Sequence, residues 1–214
     1  MSRYKYKVCF LGDTAVGKTS IITRLMYNKF DSNYQATVGA DFLTKSFKLN
    51  QNYIKLQLWD TAGQEKFRSL MPSYIRNSSA AIIVYDITNR ESFNSIDYWI
   101  EDIRNERGDE AIIYLVGNKT DDPNNRLISI EELEKKAKQN NCNFLETSAK
   151  VDHNVNLLFE KLCTSLVSKF PNQIIESNPQ EIEKPKEKVI SLPNNSDNSP
   201  QKESKTQNNC FCVI

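Results

Sequence analysis

Residues 12–19 of the chain read GDTAVGKT: a glycine, four spacers, a second glycine, then Lys-Thr. Glycine lets the backbone turn tightly enough for successive N–H groups to converge on one anion. The apolar run KVCFL (7–11) before the loop and a helical segment after it (18–28) supply the strand and the helix N-terminus that such a loop requires. The spacing predicts a polyphosphate cradle built from Asp13, Thr14, Ala15, Val16, Gly17 and Ser20, with the Lys18 ammonium reaching the β- and γ-phosphates. The Thr19 hydroxyl is placed to ligate Mg²⁺. This loop predicts a nucleotide without specifying its base.

Three later motifs narrow the chemistry. WDTAGQE (59–65) sets Asp60 at the end of an apolar strand, the place of a carboxylate that holds Mg²⁺. Gly63 presents an amide that can bond a γ-phosphate oxygen, and Gln64 follows where a side chain can orient an attacking water. NKTD (118–121) ends another apolar run. Asp121 there can accept two hydrogen bonds from the N1–H and N2–H₂ edge of guanine, an edge adenine does not offer. Asn118 is placed to support the loop, and Lys119 to lay its stem along the ring. ETSAK (146–150) adds a second short loop at Ser148, Ala149 and Lys150, where the Ala149 N–H can reach the guanine oxygen. Together these residues predict GTP and GDP as ligands, with Mg²⁺ and hydrolysis of GTP.

The elements that must position these loops follow from periodicity. KVCFL, AIIVYDI (81–87), AIIYLVG (111–117) and the shorter CNFLET (142–147) are continuous apolar runs, the pattern of strands buried on both faces of a parallel sheet. Helical spacing recurs at 18–28, 91–107, 130–139 and 153–169. DFLTKSFKL (41–49) and NYIKLQLWD (52–60) alternate instead, and a short turn near Asn50–Gln51 makes them a hairpin. The expectation is an α/β fold: a doubly wound, mostly parallel six-stranded sheet with one antiparallel edge hairpin and helices on both faces. Alternation puts the large aromatics Phe42 and Trp59 on the hairpin's polar face. Phase alone also allows them to pack under a helix.

In this order and spacing, the phosphate loop, a single Thr in the 30s loop, DTAGQ, NKTD and SAK resemble the Ras-like small GTPases over about residues 5–170. Within that group VGADF (38–42), KLQLW (55–59), KFRS (66–69), YIRNS (74–78) and YDIT (85–88) are similar to the Rab branch. YQATVGADFL, PSYIR and NERG further resemble its Golgi-associated subgroup. The resemblance implies that Thr37 closes on Mg²⁺ when the γ-phosphate is present, and that Phe30 stacks against guanine. It implies that Phe42, Trp59 and Tyr74 form an effector patch beside two loops, about 31–41 and 62–77, that order with GTP. No residue reads as an internal arginine finger, so slow turnover accelerated in trans by a GAP is implied. Effector proteins, an exchange factor, a Rab escort protein and a GDP-dissociation inhibitor are the implied partners of a monomer. Thr14–Ala15, the Val and Ala of VGADF, and Asp122–Pro123 depart from the commonest pattern without removing a ligand.

A net charge of +1 over 214 residues carries no field for nucleic acid, and no apolar run reaches the length of a membrane span. The N-terminus lacks a signal-peptide pattern, so the cytosol is expected. Residues 171–214 hold five prolines, no glycine, and five Lys against six Asp plus Glu, the composition of a disordered tail. The chain ends NNCFCVI. Phe211 stands where a C-a-a-X box needs cysteine, whereas Cys210 and Cys212 resemble the dual-cysteine termini that receive geranylgeranyl groups, with Val213–Ile214 as a departure. Two such chains anchor stably where one is marginal. The expected address is the cytoplasmic face of intracellular membranes, at the Golgi, exchanging with the cytosol. Three rivals stay open: an ATP-dependent P-loop enzyme, opposed by NKTD and SAK; a non-hydrolysing scaffold, opposed by Gln64; and a Ras- or Rho-type signalling switch.

Overall fold

The computed structural model describes residues 3–33, 35–49 and 52–171. The expected hairpin turn at Asn50–Gln51 and the terminal Cys210 and Cys212 lie outside them. Six strands run in the order β2-β3-β1-β4-β5-β6: β1 (Arg3–Leu11), β2 (Ala40–Leu49), β3 (Asn52–Thr61), β4 (Ala80–Asp86), β5 (Ile112–Asn118) and β6 (Asn143–Glu146). All neighbours pair in parallel except β2 and β3, whose antiparallel register joins Phe42 to Trp59 and Leu49 to Asn52. The expected mostly parallel sheet with one antiparallel edge is the observed one. Strands β4 and β5 are buried at every position, which is why their sequences read as unbroken apolar runs.

Helices α1 (Lys18–Tyr27) and α6 (Val155–Lys169) cover one face of the sheet. Their Ile21, Ile22, Leu25, Leu158, Phe159 and Leu162 pack on Val8, Phe10, Leu56 and Leu58. The other face carries α2 (Met71–Ile75), α3 (Arg90–Asn94), α4 (Ile96–Arg107) and α5 (Ile130–Gln139). A 3₁₀ turn over Glu65–Leu70 precedes α2. Leu43, Phe47 and Leu49 of the hairpin turn inward, and Phe47 stacks on Phe159 with ring centres 6.0 Å apart.

Beyond shifts of a single residue, three boundaries differ from the sequence expectation. Strand β1 begins four residues before Lys7, because Tyr4 and Tyr6 alternate inward between lysines and arginine, and the Tyr6 hydroxyl donates to the Phe170 carbonyl at 3.0 Å. The helix expected over 91–107 is two, interrupted at Ser95, whose hydroxyl donates to the Glu91 carbonyl. Helix α6 starts two residues late, because His153 makes a backbone bridge to Ser148 and Asn154 sits at φ 57°.

Candidate nucleotide site

The carboxyl ends of β1, β3 and β5 open into a cleft of about 730 Å³, where strand order reverses around β1. Thr14, Ala15, Gly17, Lys18, Thr19 and Ser20 line one wall. Gly17 takes φ 101°, and a Cβ there would collide with the Asn118 side-chain nitrogen, so no other residue fits this turn. Lys18 is buried, and its ammonium donates to the carbonyls of Gly12 and Asp13, each at 2.8 Å. Burial pulls its pKa from 10.5 down to about 8, against the opposing pull of Asp60 and Asp13.

Three oxygen groups meet at the head of α1. The Thr19 hydroxyl donates to Asp60 Oδ2 at 2.6 Å and stands 2.9 Å from the Thr37 hydroxyl. Asp60 is buried, which raises its carboxyl pKa, and its Oδ1 has no hydrogen-bond partner among the described residues. One carboxylate and two hydroxyls suit Mg²⁺, which takes few protein ligands and shares its shell with phosphate oxygens and water. The orphaned Oδ1 is the acceptor such an ion or its water would satisfy.

Opposite, the base-side loops are tied together by Asn118, which closes β5. Its amide donates to the Val16 carbonyl at 2.9 Å, and its Oδ1 accepts from the Thr147 hydroxyl and the Ala149 N–H, each at 3.2 Å. Asp121 accepts from the Ser148 hydroxyl at 2.6 Å and pairs with Lys150 at 3.4 Å. Burial disfavours its charge, but those partners and its own backbone amide outweigh it and hold the carboxyl below its usual range. Lys119 lines the cleft at φ 72°, with its ammonium 2.6 Å from Asp86. Phe30, Thr37, Gly63, Gln64, Asp121, Ala149 and Lys150 also line the cleft.

The family model of the Ras family matches residues 7–168. The chain belongs to the Ras family. It is a small GTPase, of a family that binds GTP and GDP.

Some groups expected at this site of the Ras-family chain are also engaged within the protein. Val16 is buried in the core, and Ser148 reaches the cleft only through Asp121. The Ala149 N–H, expected at the guanine oxygen, is bonded to Asn118. Asp13 turns its carboxylate out of the loop to the Trp99 indole, 2.9 Å away. Conversely Thr23, Asp31, Ser32, Asn33, Gln35, Ala36 and Asp122 line the cleft without having been expected. Asp31, Ala36 and Asp122 adjoin a predicted residue, and Ser32, Asn33 and Gln35 lie in the 31–41 loop between Phe30 and Thr37, which was the signal available. Trp99 had none, since it reads as one more apolar position of a helix.

Outside the cleft three aromatics form one surface. Phe42 meets Trp59 edge-on at 5.5 Å, and Trp59 meets Tyr74 at 5.9 Å. Phe42 is exposed, and Trp59 and Tyr74 are half-buried over the α2 side of the core. The packing of Trp59 thus combines both readings of phase: it rests on a core and still presents an edge.

Proposed function

We propose that this Ras-family GTPase is a Rab-type switch that recruits effectors to intracellular membranes, acting in vesicle traffic at the Golgi. The observation that carries this reading is the joined surface of Phe42, Trp59 and Tyr74, set against the segments that bear Thr37 and Gly63. GTP and GDP differ by one phosphate, so only groups touching it can report the difference. Thr37 and Gly63 are those groups. Thr19, Thr37 and Asp60 would hold Mg²⁺, which neutralises phosphate charge when bound. Lys18 holds the β- and γ-phosphates, Gln64 aligns the attacking water, and Asp121 reads guanine while Phe30 covers it. Rab-like sequence around these residues supports the trafficking assignment. So does the cysteine pair Cys210 and Cys212, as sites for two geranylgeranyl groups handled by an escort protein and a GDP-dissociation inhibitor.

Mass spectrometry of the full-length protein from cells, with imaging of the chain with and without Cys210 and Cys212, tests the membrane role. Two geranylgeranyl groups and a cysteine-dependent Golgi signal are expected; a single farnesyl group would sink the Rab reading. Single-turnover hydrolysis by Gln64→Leu tests the switch chemistry. A slowing of about tenfold or more is expected with GDP affinity unchanged, and an unchanged rate removes Gln64 from its role.

A further inference from the structure

Asp13 is an acid inside the loop that receives a polyanion, a charge of the wrong sign at close range. The fold disposes of it in a specific way. Its carbonyl accepts from the Lys18 ammonium at 2.8 Å, while its carboxylate, near enough for its charge to act on Lys18, accepts instead from the Trp99 indole N–H at 2.9 Å. Trp99 is fixed in turn: it is 7% exposed on α4, packed in the core beneath that helix. Its ring also lies 5.8 Å from the Arg68 guanidinium, which is paired with Asp102 at 3.4 Å and belongs to the 3₁₀ turn directly after Gly63 and Gln64. Gly63 itself lies against the same residue, since a Cβ there would collide with the Asp13 carbonyl. Asp13 is therefore the point where the phosphate loop, the γ-phosphate-reading segment and α4 converge.

We propose that Trp99 is a positioning residue for nucleotide binding, whose N–H holds the Asp13 carboxylate away from Lys18 and the phosphates. A hydrogen bond to an ionised acceptor is roughly twice as strong as a neutral one, so this single contact is enough to fix the side chain's direction. Released from the indole, the carboxylate is left half-buried without that donor. The cation nearest it along the loop is the Lys18 ammonium, bonded to its own carbonyl. Turning toward that ammonium, the acid competes with phosphate for it and adds repulsion. The harm thus comes from the acid rather than from the lost packing, and removing the acid should undo it.

The test rests on the GTPase reading and uses the full-length protein loaded with a fluorescent GDP analogue in the presence of Mg²⁺. Release is measured for the wild type, Trp99→Phe, Asp13→Asn and the double variant, with the melting temperature of each. Trp99→Phe is expected to release the nucleotide about fivefold to tenfold faster. Asp13→Asn sets the baseline for the comparison, and the double variant is expected within about twofold of it. A merely structural tryptophan would leave the release defect in place in the Asp13→Asn background. If Trp99→Phe melts lower, the double variant decides: recovered retention at an unrecovered melting temperature supports the proposal. A defect that persists in the double variant, or a Trp99→Phe protein that holds GDP like the wild type, overturns it. A wild-type chain that bound no GDP would instead bring down the GTPase reading, and this inference with it.

Discussion

The two sides of the cleft are built on opposite plans. On the base side, Asn118, Thr147, Ser148 and Ala149 are buried at 2% exposure or less; Thr147 and Ala149 bond the Asn118 side chain, and Ser148 bonds Asp121. On the phosphate-terminal side, the described residues between 31 and 38 are exposed apart from half-buried Thr37. Their described hydrogen bonds include one local bond, Asn33 N–H to Asp31, and the contact of Thr37 with Thr19. A prearranged wall meets its ligand at little entropic cost and supplies affinity and base choice. A loose wall gives up affinity, but it can take two arrangements, and only such a segment can signal which nucleotide is present.

Changes on the rigid side should therefore damage binding, and changes on the loose side should damage reporting. Asp121→Asn should have the largest effect, because in the proposed function a carboxylate that accepts two guanine donors is replaced by a group that offers one acceptor. GDP affinity is expected to fall about a thousandfold; a loss under tenfold by competition binding would mean Asp121 does not read the base. Asn118→Ala comes next. It strands the Val16 carbonyl, the Thr147 hydroxyl and the Ala149 N–H, so chemical unfolding should show a loss of about 3 kcal/mol. Stability within about 0.5 kcal/mol of wild type would break the claim that this wall is prearranged. The smallest effect belongs to Thr37→Ala: GDP release should change by about threefold or less, since the contact is exposed. Limited proteolysis should nevertheless show that a GTP analogue no longer protects the segment around residues 31–41. Protection equal to wild type would remove Thr37 from the reporting role.

The same contrast explains what the sequence made legible. Continuous apolar runs at β4 and β5 announced a parallel sheet because both faces of those strands are buried. The loop glycines announced the phosphate turn because only glycine fits at Gly17. Residue type and spacing along the chain carried that information. The orientation of Asp13 was not legible, because its partner Trp99 lies 86 residues away and only the crossover geometry of β1 and α4 brings them together. The break at Ser95 escaped notice for another reason: its local dihedrals, φ −68° and ψ −13°, stay near the helical range, so the composition carries no breaker.

Strand β3 has a consequence of its own. Trp59 and Asp60 are consecutive residues on opposite faces, about 3.8 Å apart along the chain. One belongs to the aromatic surface proposed for recognition and the other to the oxygen cluster with Thr19. No relay across the molecule is needed to join them, since the same short stretch of backbone borders both. Linkage then works in each direction: a protein that grips Trp59 better in one nucleotide state must, by the same factor, strengthen the hold on that nucleotide. Whatever reads this molecule therefore also biases how long its message lasts.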